Sequence, residues 1–278
     1  MQGADYHLRL PLDDPEMWVF YAAPHTAKRL VVFVHGFGGH AVKTWQDFQR
    51  SGSLRGEWWA DADMLFVGYR SMTEDIGGVA SRIQKRLPDF YPYPNRGVLT
   101  AIDSKAREDI ETRYEELIIM GHSLGGLIAR RTLVDCADRW LKEGAIPEAR
   151  PILLEAKLRL FSPASAGVRL SGWKALAAAA FWHVADALLR RSPAYTDMQP
   201  GSETLASTRR RTELIVKEQN LSALQASILW ANPDTVVLPE RYDSDLLEDW
   251  VDGRGHILVC KPDSRYCAPW TFAETGRC

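Results

Sequence analysis

A run of apolar residues that turns without a linker into a helix leaves a chain few folds to choose from. Leu117 to Leu133 reads LIIMGHSLGGLIARRTL. Leu117 to Met120 has the make-up of a buried strand, and apolar side chains recur at helical spacing from Leu124 onward. Between them stands Gly121-His122-Ser123-Leu124-Gly125. A chain that reverses from strand to helix in so few residues strains the corner residue. Glycines two before and two after it leave space where side chains would collide. Ser123 is that corner, and the G-x-S-x-G spacing would hold its hydroxyl out at the end of the strand. The N-terminal amides of the helix that follows point at the same place and favour developing negative charge.

The rest of the chain repeats this alternation. His7–Leu10 and Met17–Tyr21 read as an opening antiparallel hairpin, and Leu30–Val34 (LVVFV) as a buried strand. Asp63–Gly68 is the next strand and Ile76–Leu87 its helix. A strand at Leu117–Met120 and a helix from Leu124 to about Trp140 follow. Lys157–Phe161, Ser227–Ala231 and Ile257–Cys260 complete the expected strands. Continuous rather than alternating apolar strands fit a parallel sheet covered on both faces. Sites in such sheets lie beyond the carboxyl ends of the strands. The segment 171–212 falls between two strands and is read as a helical cap inserted into a single domain spanning 1–278.

A second glycine-rich turn supplies what a serine nucleophile needs. LVVFVHGFGG ends a strand in His35-Gly36-Phe37-Gly38-Gly39. Glycines there let backbone amides approach a reacting oxygen closely. The expected oxyanion donors are the N–H groups of Phe37 and Leu124. Of the seven histidines, His183 and His256 follow Ser123. His183 lies in an apolar helical stretch and reads as a packed or cap residue. His256 sits in VDGRGHILVCKP just after the loop-forming Gly253 and Gly255 and is the expected general base. Asp234, in the turn signal Asn232-Pro233-Asp234 after ILWA, is the expected acid that orients it. Asp243, Asp245 and Asp252 are its competitors, further from the strand end.

Composition narrows the remaining classes. The formal net charge of −2 gives no basic field for nucleic acid. Arg209-Arg210-Arg211 reads as a solvated helix face. The first residues, MQGADYHLRLPLDD, lack the apolar segment of a secretory signal. Four cysteines form neither a CxxC pair nor a zinc spacing, so free thiols in the cytoplasm, no metal and no organic cofactor are expected. The longest apolar run, Ala175–Leu189, is broken by His183 and Asp186 and is too short to span a bilayer.

With those pieces placed, the chain resembles the α/β-hydrolase superfamily. Within it, the chain is similar to the lipase-like serine esterases that include the mitochondrial serine-active-site protein and the GPI inositol-deacylase relatives. VVFVHGFGGHAVKTW, MLFVGYRS, GHSLGGLIARRTL, DMQPGSETL, NPDTVV and GHILVCKP carry the likeness, over about residues 29 to 263. The resemblance implies an α/β-hydrolase fold and a Ser123, Asp234, His256 triad. FSPASAGV departs from it, keeping a proline and a later glycine of the family's Gly-Thr-Pro-His-x-Gly segment but not the histidine.

The expected cap, GWKALAAAAFWHVADALLRRSPAY, places Trp173, Leu176, Ala180, Val184 and Leu188 at helical spacing. That stripe would cover the site, contact an acyl chain, or touch a membrane surface peripherally. The expected function is hydrolysis of carboxylic esters with a hydrophobic acyl part, the partner being a small-molecule or lipid ester. A thioesterase, amidase or acyltransferase would use the same triad. A catalytically silent binding or signalling module, or a hydrolase under a partner's control, stays open beside these.

Overall fold

The computed structural model describes residues 8–12, 18–23, 25–49, 56–102, 111–169 and 192–278. Eight strands form one sheet: β1 (Leu8–Pro11), β2 (Val19–Ala22), β3 (Arg29–Val34), β4 (Ala62–Val67), β5 (Glu116–His122), β6 (Lys157–Phe161), β7 (Ala226–Asn232) and β8 (Leu247–Asp252). Their order is β1-β2-β4-β3-β5-β6-β7-β8. β1 and β2 pair antiparallel, as does β2 with β4, and every pairing from β4 to β8 is parallel. This is the mostly parallel, two-face-covered sheet expected from the apolar runs.

The described helices are α1 (Gly56–Ala60), α2 (Ile76–Arg86), α3 (Arg96–Ile102), α4 (Leu124–Lys142), α5 (Pro193–Asp197), α6 (Glu203–Gln219) and α7 (Ala268–Thr275). α2, α4 and α6 cover one face, burying Val79, Ile83, Leu127, Val134, Leu205 and Ile215 against the sheet's apolar side chains. On the other face Trp45, Phe48, Trp59, Trp270 and Phe272 close a second core. Strands lined by Leu, Ile, Val and Phe on both sides have nowhere to go but between two such layers.

Two boundaries differ from the sequence reading. The last strand is Leu247–Asp252, whereas Ile257–Cys260 is a turn. LEDWVD is an edge strand whose Leu247, Glu248, Trp250 and Asp252 are exposed, and it lacks the apolar run that marks a central strand. Ile257 and Leu258 remain 45% and 44% exposed, and only Val259 and Cys260 of that apolar run enter the second core. α6, which begins inside the expected 171–212 insertion, runs on past Thr212 to Gln219 and packs on α4, as a crossover helix of the body does. The cap stripe Trp173–Leu188, with His183, lies outside the described residues.

Parallel register brings the carboxyl ends together. Val34 pairs with Gly121, His122 with Phe161, Phe161 with Leu229 and Asn232 with Asp252. The segments that leave β3, β5, β7 and β8 therefore emerge along one edge of the sheet.

Candidate active site

Ser123 takes φ 54° and ψ −121°, a backbone conformation that costs an L-residue energy and that its surroundings must enforce. Its N–H donates to Phe161 O at 3.0 Å, and its carbonyl accepts from Gly126 N–H and Ala164 N–H at 3.0 and 3.1 Å. The glycines make the turn possible. A Cβ on Gly121 would stand 2.6 Å from Gly126 Cα, and one on Gly125 would stand 2.0 Å from Val34 O. Gly125 thus lets the elbow press against the end of β3. Leu124 opens α4, so its amide has no carbonyl one turn back to bond and points out with the helix dipole.

The loop after β3 lies directly on this corner. A Cβ on Gly36 would be 3.0 Å from Ser123 Cβ. Two side chains from the segment after β4 hold the loop: Tyr69 Oη donates to His35 O at 2.5 Å, and Ser71 Oγ accepts from Gly38 N–H at 2.8 Å. The Tyr69 ring also stacks on the His35 imidazole, with centroids 4.1 Å apart. Burial drives the His35 pKa down to about 4, so that imidazole is neutral and structural. Phe37, between the two anchored peptides, is packed on the apolar core.

Asp234 and His256 meet as the sequence order anticipates. His256 Nδ1 donates to Asp234 Oδ2 at 2.9 Å, with both side chains almost fully buried. Asp234 Oδ1 accepts from Val236 N–H and Val237 N–H at 2.9 and 3.1 Å. Burial alone would raise this carboxyl's pKa, but the hydrogen bond and charge of His256 and the two amides outweigh it and leave it lowered. Asp234 is thus an acceptor-only carboxylate that fixes the Nδ1–H tautomer of His256 and leaves Nε2 free to accept a proton. Among the described residues neither His256 Nε2 nor Ser123 Oγ makes a hydrogen bond. Bonds of this kind often tighten only when substrate is bound.

Two of the competing carboxylates have other partners, and the third, Asp243, is exposed. Asp245 holds Arg130 through Nη1 and Nη2 at 2.9 and 2.6 Å. Asp252 accepts from Asn232 Nδ2 at 2.6 Å, and Asp243 donates its N–H to Glu213. The divergent FSPASAGV stretch lies under the elbow: Pro163 packs against Gly126, Ala164 N–H reaches Ser123 O, and Ser165 Oγ accepts from Arg130 Nε at 3.2 Å.

Four contributors escaped the sequence reading: Tyr69, Ser71, His122 and Arg130. Arg130 alone carried a signal, a charge three residues beyond Leu127 and four before Val134 on the apolar stripe of α4, which calls for a buried partner. His122 donates Nε2–H to the His256 carbonyl at 2.8 Å, their ring centroids 4.9 Å apart. Among the described residues no group of three or more His, Cys, Asp or Glu is placed to hold a metal ion, and all four cysteines are free thiols.

The strained serine at a strand–helix corner, below an amide loop and on one sheet edge with a buried Asp–His pair, agrees with the match of residues 31–277 to the alpha/beta hydrolase family model. This chain belongs to the alpha/beta hydrolase family. Solved structures to which the chain is similar include the monoglyceride lipase of Saccharomyces cerevisiae in a soluble variant, 12% identical, covering 100% of this chain and 97% of that one with a TM-score of 0.49. A serine hydrolase from Cycloclasticus zankles is 12% identical over 97% of this chain and 98% of that one, with a TM-score of 0.47. A carboxylesterase of the Thaumarchaeon Nitrososphaera gargenis is 10% identical over 91% and 92%, with a TM-score of 0.48. No curated protein matches the chain in sequence.

Proposed function

We propose that this family member is a serine hydrolase of carboxylic esters, with Ser123 as nucleophile, His256 as general base and acid, and Asp234 as the orienting carboxylate. The observation that carries the reading is the buried 2.9 Å Asp234–His256 bond, whose tautomer leaves Nε2 as an acceptor on the sheet edge where Ser123 stands strained at a helix N-terminus. Ser123 Oγ attacks the acyl carbon while His256 Nε2 takes its proton. The carbonyl π pair moves onto oxygen, where the Leu124 and Phe37 amides receive the charge. Collapse breaks the acyl–O bond, and His256 returns the proton to the leaving alcohol. Water, deprotonated by His256, then cleaves the acyl-enzyme, and Ser123 regains its proton.

Apolar side chains beside these groups favour a hydrophobic substrate part. Ile257 and Leu258 follow His256 and are 45% and 44% exposed, and Met72, next to the loop-holding Ser71, is 37% exposed. A fluorophosphonate probe, read by intact mass on wild type and Ser123→Ala, tests the reading. Labelling of wild type alone supports it, and a p-nitrophenyl ester series then reports the preferred chain length. Folded wild type that stays unlabelled would turn the reading towards a silent binding module.

A further inference from the structure

We propose that His122 is a positioning residue that links the nucleophile's elbow to the general base through one hydrogen bond, Nε2–H to the His256 carbonyl. The inference rests on Ser123 and His256 acting as nucleophile and base.

His256 hangs in a permissive loop. Gly253 adopts φ 72°, and neither Gly253 nor Gly255 has anything within 4 Å of where a Cβ would be. Such glycines leave the backbone many conformations, and the side chains that follow, Ile257 and Leu258, are half exposed. The imidazole ring is tied to Asp234, but a ring tied at Nδ1 can still swing if its backbone moves. The loop's own hydrogen bonds, Gly253 N–H to Asn232 O and Leu258 N–H to Gly255 O, flank His256, and His122 ties the His256 peptide itself. It is 6% exposed, and its Nε2 lies 2.8 Å from the His256 carbonyl oxygen. Because it immediately precedes Ser123 at the end of β5, the bond sets the base's backbone in the frame of the nucleophile's own turn.

The chemistry of the ring shows why an imidazole stands here. A carbonyl oxygen only accepts, so Nε2 carries the hydrogen and Nδ1 is a bare acceptor. Among the described residues that buried Nδ1 has no hydrogen-bond partner, and it faces Gly36, where a Cβ would come within 3.1 Å of it. A buried acceptor left unpaired is costly, and an apolar side chain of similar size would avoid the cost. Retaining the ring is reasonable when its other nitrogen has a task. Burial and the neighbouring His256 hold the His122 pKa down at about 3, so it places no second positive charge beside His256 when the base is protonated.

Three substitutions separate this from packing. Glutamine carries its amide nitrogen near the place of Nε2, asparagine near that of Nδ1, and phenylalanine fills the space with no donor. Initial rates on a p-nitrophenyl ester and the rate of fluorophosphonate labelling would be measured with Tm. His122→Phe and His122→Asn should lose about 10- to 100-fold in kcat, with KM within about threefold, as expected for a base displaced by a fraction of an ångström. His122→Gln should recover to within about fivefold of wild type. Folded His122→Phe with wild-type kcat, or Asn rescuing as well as Gln, would overturn the inference. So would an Nδ1–H tautomer for His122 in the 15N NMR spectrum of the unaltered protein, a measurement that needs no variant to fold. Wild type that never reacts with the probe would instead bring down the underlying reading of Ser123, and the two failures are told apart by that control.

Discussion

Two buried carboxylates at opposite ends of β7, Asp234 and Asp245, each grip a nitrogen base, and they differ in what that base can do. Asp245 binds Arg130 through both oxygens, and each oxygen also accepts a backbone amide, Ala226 N–H at 3.1 Å and Tyr242 N–H at 2.8 Å. The guanidinium carbon lies 4.0 Å from the Tyr242 ring centre, and the ion pair is sealed at 1% and 0% side-chain exposure. Asp234 spends one oxygen on the Val236 and Val237 amides and one on His256, whose second nitrogen stays open. An arginine cannot give up its proton in a protein, so the first pair is a closed brace between α4 and the entries to β7 and β8. A histidine can, so the second pair is able to take part in proton transfer. Pairing and burial are common to both. The identity of the partner and one open nitrogen make the difference.

The comparison breaks hardest on activity. Asp234→Asn keeps an acceptor for the two amides but offers His256 a donor, which selects the wrong tautomer. A loss of about 10,000-fold in kcat is expected, worth roughly 5 kcal/mol of barrier. Steady-state ester hydrolysis beside a melting curve would show whether it comes with little change in Tm. The brace should behave oppositely. Arg130→Met leaves the Asp245 charge buried and alone, and denaturant unfolding should show about 3–5 kcal/mol lost while kcat of the folded fraction holds. Adding Asp245→Asn to Arg130→Met should restore part of that stability, since it removes the buried charge while its amide oxygen still accepts a backbone N–H. A double variant no better than the single one would mean that the brace does more than neutralise a charge.

The smallest effect is a pH dependence. The folded Asp234 carboxyl titrates below its ordinary value near 3.8, so the unfolded chain binds that proton first. The stabilisation is complete above that value and is lost as pH falls through the folded one. The Tm difference between wild type and Asp234→Asn should therefore be steady near neutrality and shrink below about pH 4. A difference that stayed constant through that range would show that the carboxylate charge contributes nothing to the fold.

Much of this was legible in the chain. Strands β3, β5, β6 and β7 announce themselves because both faces are buried and most of their positions are apolar. The elbow is legible because the sterics at Gly121 are local, set by Gly125 and Gly126, although those at Gly125 come from Val34 and His35 at the end of the neighbouring strand. β8 was misplaced because an edge strand needs backbone partners on one side only and can mix acidic with apolar residues. Tyr69 and Ser71 gave no signal, since a tyrosine and a serine after a strand are ordinary until the loop they hold lies beside them.

The sequence by itself determined the layered sheet, the corner at Ser123 and the glycine loop above it. These follow from hydrophobic period and backbone sterics, which act over a few residues. Only the tertiary structure decided which of Asp234, Asp243, Asp245 and Asp252 meets His256, and that His122 ties its backbone to the elbow. Four carboxylates on one stretch of chain are chemically alike, and a hydrogen bond reaches about 3 Å. The choice among them belongs to whichever the parallel register of β7 and β8 carries to that distance.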